Sequence, residues 1–124
     1  MTDPTLAILF DRLMRRLHVS MMAKAQEFDA HRVGPAGAML LMSLKDLGPV
    51  ETHTLVKEAA RDKSQITRLL NTLEQKGIII RTQSKRDARA QVISLTEAGE
   101  ELVKAHQKAV GDALAEELAP LSHA

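Results

Sequence analysis

The residues best suited to chemistry in this chain are hydrogen-bonding groups rather than nucleophiles. From Asp62 the sequence runs Asp-Lys-Ser-Gln-Ile-Thr-Arg-Leu-Leu-Asn-Thr-Leu-Glu-Gln-Lys-Gly, and Ser-Lys-Arg-Asp-Ala-Arg follows at 84–89. At 100° per residue, Ser64, Arg68, Asn71 and Gln75 share one face, flanked by Gln65, Thr67 and Thr72. An ordinary solvated helix face mixes Glu with Lys. This one holds amides, hydroxyls and a guanidinium, with Glu74 alone at one edge. Those groups match base edges in a major groove: Arg to guanine, Asn or Gln to adenine, Ser or Thr to either. A plain polar surface would have a similar composition, so the neighbouring segments must decide. They add Lys63 beside the face and Lys85, Arg86 and Arg89 downstream, the residue types that meet phosphate or enter a minor groove.

These side chains need elements to hold them. Asp62 at an N-cap, with Gln65 three residues on, forms a capping-box pattern, and Gly77 suits a left-handed helix end. Between them Ile66, Leu69, Leu70 and Leu73 make one apolar stripe. Upstream, Thr52 caps a short helix running through Arg61, with Leu55, Val56 and Ala59 inward. Two short helices joined by a tight turn, the second with a base-reading face, make a helix-turn-helix. After Gly77 the apolar period drops to near 2, over 78–82 and again over 90–95, around a basic tip at 83–89. That is a β-hairpin with a cationic end, a wing, on which Asp87 and Arg89 can pair. Pro35 opens a nearly all-apolar helix through Leu47, read as the buried central helix and ended by Gly48-Pro49. Asp3-Pro4 starts a first helix to about Phe28, whose apolar positions (Leu6, Leu9, Phe10, Leu13, Met14, Leu17, Met21, Met22, Ala25 and Phe28) are too widely spread for one contact. A second subunit would cover the remainder. Thr96 caps a last helix to about Leu118, with Glu97, Glu100 and Glu101 near its positive end and Gly111 offering a close approach or a bend.

Composition narrows the function. The chain has 124 residues, 44% apolar and 27% charged, the size and balance of one globular domain. It has no cysteine, which excludes disulfides, cysteine-ligated zinc and thiol catalysis, and suits a cytoplasmic setting. Asp3 and Asp11 interrupt any leader-like apolar run, and no stretch approaches the roughly 18–20 apolar residues of a membrane span. Phe10 and Phe28 are the only aromatics, which argues against stacking of single-stranded bases. The net charge of +1 conceals segregation. Residues 61–89 carry eight cations against three carboxylates, a net of +5, while residues 96–124 carry two against six, a net of −4. The basic middle is where a polyanion would land.

No nucleophile–base set, phosphate-cradling glycine loop or paired-carboxylate arrangement stands out, so neither an enzyme nor a cofactor is expected. His18, His31, His53, His106 and His123 never show ligand spacing such as H-E-x-x-H, and no metal site is assigned. His106 falls on an apolar stripe and reads as a packing residue. A metal-responsive regulator would require the fold to gather His18, His31 or His106. The other competing class is a winged-helix module that binds a protein, against which the +5 segment argues.

Leu55-Val56-Lys57-Glu58-Ala59, then Asp62 through Leu70, then Leu73-Glu74-Gln75-Lys76-Gly77-Ile78-Ile79 and Arg81, resemble the winged helix-turn-helix of the MarR family of bacterial transcription regulators. Asp87-Ala88-Arg89 stands at that family's Asp-x-Arg, and Leu95-Thr96-Glu97-Ala98-Gly99 at its Leu-Thr-x-x-Gly. The resemblance implies a two-fold dimer held by the first and last helices, with recognition helices in successive major grooves of a pseudo-palindromic operator. It further implies wing tips in the flanking minor grooves, Arg89 as the wing arginine and Asp87 as the carboxylate that shapes the wing. Many members release DNA when a small ligand, often an aromatic acid, enters a cleft between the dimerisation helices and the reading head. Three departures stand out: Val56 where alanine is usual, Ala60 where the turn usually has glycine, and few residues after Leu118 where relatives add a helix.

The expectation is therefore a mainly α fold with a small β-hairpin wing, a winged helix-turn-helix. Residues 1–30 and 97–124 are its dimerisation helices and 33–95 its DNA-binding head. The function expected is a cytoplasmic, homodimeric repressor of double-stranded DNA, relieved by a small apolar or aromatic-acid ligand. The DNA-contact candidates are Lys63, Ser64, Gln65, Thr67, Arg68, Asn71, Thr72, Lys85, Arg86, Asp87 and Arg89, and the effector-pocket candidates are Arg15, His18, Met22, Met39 and Met42.

Overall fold

A computed structural model describes residues 3–29, 31–59 and 61–122, with side chains placed for all of these except 26–28 and 120–122. The order of elements is α1 (Pro4–Phe28), α2 (Gly34–Leu47), β1 (Val50–Glu51), α3 (Thr52–Ala59), α4 (Lys63–Gln75), β2 (Ile79–Gln83), β3 (Gln91–Leu95) and α5 (Glu97–Ser122). This is a mainly helical winged-helix fold. Its sheet has one strand more than the expected hairpin: the order is β1-β3-β2, all antiparallel, with Val50 opposite Ile93 and Glu51 opposite Val92. The chain divides into two compact units, residues 31–104 and residues 1–30 with 105–124.

The 31–104 unit is built around one apolar core. Leu41 and Leu44 of α2, Leu55 of α3, Ile66, Leu70 and Leu73 of α4, Ile78, Ile93 of β3 and Val103 of α5 are almost completely buried. The stripe read along α4 is thus the packed one, with Leu69 half-buried at its margin. Helix α2 departs from the expectation of full burial, because Met39 is 59% exposed. An apolar residue on every turn does not reveal which side has a neighbour. Helix α3 ends at Ala59, short of the expected Arg61, and Ala60 lies outside the described residues.

The C-terminus of α4 closes as its sequence suggests. Gly77 has φ +72°, its N–H donates to the Glu74 carbonyl at 3.0 Å, and the Ile78 N–H donates to the Leu73 carbonyl at 3.0 Å. This paired pattern satisfies two carbonyls the helix leaves open. The N-terminus departs from the expected capping box. Asp62 holds the N-cap position with extended backbone, but no side-chain cap bond forms and its carboxylate takes the Ser64 hydroxyl instead. A hydroxyl two residues away competes directly with the backbone amides for a short carboxylate.

Strand β3 passes into α5 through Thr96. Its hydroxyl donates to the Gly77 carbonyl at 2.6 Å or the Ile78 carbonyl at 2.9 Å and accepts the Gly99 N–H at 3.1 Å. Gly99 is required there by space, since a Cβ would stand 2.3 Å from the Ile78 carbonyl oxygen. The Leu-Thr-x-x-Gly pattern thereby gains a physical reason: a capping hydroxyl and a backbone approach only glycine permits.

In the other unit, Asp3 caps α1 by accepting the Thr5 N–H at 2.9 Å, and Pro4 occupies the first turn. Helix α1 meets α5 through Lys24 and Glu116 at 2.7 Å and Arg16 and Glu117 at 3.7 Å. Ala109 and Ala113 are buried there, while Leu6, Ile8, Leu9, Phe10, Met14, Val19, Met22 and Leu118 remain exposed. Helix α5 continues past Leu118, and Gly111 is exposed with nothing near its Cβ position, so the close approach it offered is not used.

Candidate nucleic-acid interface

Burial of Ile66, Leu70 and Leu73 forces the opposite side of α4 outward. Lys63, Ser64, Gln65, Thr67, Arg68, Asn71 and Thr72 are all exposed. Their hydrogen-bonding capacity is not all available. The Thr67 hydroxyl donates to the Lys63 carbonyl at 2.9 Å and the Thr72 hydroxyl to the Arg68 carbonyl at 3.0 Å. Both threonines therefore present acceptor oxygens outward. The Ser64 proton goes to Asp62. The Ser64 hydroxyl holds the Asp62 carboxyl below its ordinary pKa, opposed by desolvation and aided by the charge of Arg68.

The wing is a five-pair ladder from Ile79 opposite Leu95 to Gln83 opposite Gln91. Its tip is closed by the Ser84 N–H donating to the Ala90 carbonyl and the Ala90 N–H to the Asp87 carbonyl, both at 3.0 Å. The Asp87 carboxylate accepts the Arg89 backbone N–H at 3.0 Å, and the Gln83 amide donates to the Ala88 carbonyl at 2.8 Å. Asp87 therefore shapes the turn through the main chain of Arg89 rather than its guanidinium.

Two residues that the sequence reading did not single out organise the base of the wing. Ser84 is buried; its hydroxyl donates to Glu51 Oε1 at 3.1 Å and accepts the N–H groups of Arg86 at 3.2 Å and Asp87 at 3.3 Å. Glu51 on β1 also takes Arg86 in a two-oxygen contact, at 3.1 and 3.2 Å, and stands 3.4 Å from His53 Nδ1. No local signal marks either residue, because β1 is only two residues long and the contact spans 33 or more positions.

The eight cations of 61–89 thus divide by employment. Arg86 is drawn to Glu51. Lys76 donates to the carbonyls of His31 at 2.6 Å and Arg32 at 3.0 Å, tethering the segment before α2. Arg81 of β2, largely buried, donates to Asn71 Oδ1 at 2.5 Å and Glu74 Oε1 at 3.1 Å, fastening the wing to α4. Arg61 points a nitrogen at Met39 Sδ, 3.7 Å away. The charged side-chain ends of Lys63, Arg68, Lys85 and Arg89 make no hydrogen bond or ion pair among the described residues, and all four residues are exposed.

The expected effector residues are not brought together within either unit. Arg15 borders a shallow cleft of about 290 Å³ with Arg16, Val19, Ser20 and Glu117, and His18 and Met22 lie exposed on α1 away from that lining. In the other unit Met39 is exposed while Met42 packs half-buried against the core. Among the described residues, no three histidines, aspartates or glutamates converge as metal ligands. No helix among them is long and apolar enough to cross a membrane.

Comparison with known proteins places this geometry in company. The family model described as MarR family matches residues 35–90, from α2 to the wing tip. The chain is 31% identical over 111 residues to the HTH-type transcriptional repressor MdtR of Bacillus subtilis, spanning 81% of this chain and 72% of that protein. Its fold is similar to that of the YusO protein from Bacillus subtilis, with a TM-score of 0.69 at 26% identity over 93% of this chain and 77% of the other. It is also similar to a MepR mutant of S. aureus whose structure was solved bound to an oligodeoxyribonucleotide, with a TM-score of 0.72 at 22% identity over 93% and 82% of the two chains.

Proposed function

Since this chain belongs to the MarR family of transcriptional regulators, we propose that it is a homodimeric repressor that reads a specific double-stranded DNA operator through α4 and its wing. The observation that carries this reading is the outer face of α4. Arg68 and Gln65 stand exposed with their side-chain donors uncommitted, beside a hairpin whose Lys85 and Arg89 side chains are in the same condition. Guanidinium and amide groups discriminate bases by about 1–3 kcal/mol per well-formed pair. Uncommitted cations supply the salt-dependent part, with log K falling by about 0.9 per unit of log salt for each phosphate neutralised. The MepR mutant solved with an oligodeoxyribonucleotide supports the same use of this fold.

Repression follows from occupancy of an operator, as the name of the MdtR relative implies for that protein. Release by a small apolar or aromatic-acid ligand is part of the proposal and rests on the family resemblance. The exposed apolar side of α1 supports the dimer, because a helix with Leu6, Leu9 and Phe10 in water gains by covering them.

The test is a selection of bound fragments from random duplex DNA, followed by anisotropy titrations on the selected and scrambled sequences. Arg68→Ala should collapse the ratio between the two by about 5- to 150-fold. Lys85→Ala should weaken both alike and lower the salt slope by about 0.9 per subunit. An unchanged specificity ratio in Arg68→Ala would remove α4 as the reading element.

A further inference from the structure

Asn71 occupies the centre of the outer face of α4, and on type alone it would read adenine. That readout needs both ends of the amide: Oδ1 accepting from the adenine amino group and Nδ2 donating to N7. Here the Oδ1 end is engaged, because Arg81 donates to it at 2.5 Å. The assignment of oxygen and nitrogen within the amide is fixed by chemistry, since a guanidinium has donors only and the atom facing it must be the acceptor. Arg81 is itself held in place, its same nitrogen donating to Glu74 at 3.1 Å and its side chain only 15% exposed.

We infer that Arg81 sets the base preference of Asn71, turning a two-ended adenine reader into a group biased toward donation and so toward guanine. The inference rests on the proposed reading of DNA by α4 and assigns Arg81 as a positioning residue for specificity. With a charged donor on one of the two Oδ1 lone pairs, an approaching adenine amino group finds the acceptor already shared and the positive guanidinium beside it, which disfavours its own partly positive N–H. Asn71 is exposed, and its Nδ2 carries two protons. Guanine offers O6 and N7 as adjacent acceptors on its major-groove edge and no donor beside them. The pair of residues, ten positions apart in sequence and on different elements, therefore encodes a preference that neither carries alone.

Three proteins decide it, each run through the same random-duplex selection: wild type, Asn71→Ala and Arg81→Met. Circular dichroism and thermal melting establish that each is folded. The position in the half-site whose preference disappears in Asn71→Ala is the Asn71 position. Wild type should prefer guanine there, and Arg81→Met, with Oδ1 released, should shift the adenine-to-guanine ratio at that position by about tenfold or more toward adenine. Asn71→Asp covers the case in which Arg81→Met fails to fold. It keeps an oxygen on Arg81 and removes the outward donor, so guanine preference should vanish from that position. A wild-type preference for adenine at the Asn71 position, or the same preference in Arg81→Met, overturns the inference while leaving DNA reading intact. Selection with no position sensitive to Asn71→Ala also overturns it. Failure of wild type to enrich any duplex instead overturns the reading on which it rests.

Discussion

The two units of this chain treat their apolar residues in opposite ways. In the 31–104 unit, leucines and isoleucines from four helices and the sheet converge until Leu55, Ile66, Ile78 and Ile93 have no exposed surface at all. In the unit of residues 1–30 and 105–124, Leu6, Phe10 and Val19 keep more than 60% of theirs, and the fully buried residue among those described is an alanine, Ala113. One unit carries its own core. The other leaves large apolar side chains exposed, and that is where the proposed dimer would be held.

The contrast breaks most visibly at the core. Leu55→Ala should cost about 2–5 kcal/mol of stability in urea unfolding, the usual range for a fully buried leucine. A loss under about 1 kcal/mol would mean that the core tolerates or refills the gap. On the other unit, Phe10→Ser paired with Leu9→Ser should change monomer stability little. These substitutions should instead move sedimentation from dimer to monomer at micromolar concentration, and a dimer unaffected by both would place the shared surface elsewhere. The smallest effect concerns acid. Burial lowers the pKa of His106 below the ordinary histidine value of 6.5, against a weaker upward pull from the charge of Asp29. The unfolded chain then takes up its proton first, so stability is full above about pH 6.5 and declines as pH falls through the folded value. Melting between pH 8 and pH 5 should show that decline, and His106→Gln should make it shallower. An identical slope would leave His106 without a part in it.

What could be read in advance follows the same division. The stripe of α4, its left-handed stop at Gly77, the wing and the Thr96 cap are all written within a few neighbouring residues, where periodicity and turn chemistry operate. Strand β1 was not legible, because Val50 and Glu51 are too few to show alternation and follow Gly48-Pro49, which reads as a terminator. Nor was the exposed side of α2, whose Met39 has the same type as the half-buried Met42. The employment of charge was the least visible of all. Composition counts Lys76, Arg81 and Arg86 with the other cations of 61–89, whereas in the fold they serve the carbonyls before α2, the pair Asn71 and Glu74, and Glu51. Each of those links joins segments that only the folded chain brings within reach.

Glu51 gives this chain a trade-off at a single position. Its carboxylate serves Ser84 and Arg86 at once, so its loss would loosen the root of the hairpin and, in the same stroke, release a guanidinium at the tip. The wing would become less rigid and more cationic together. Non-specific hold on a polyanion and exactness of fit would then move in opposite directions, with one residue of a two-residue strand as the setting between them.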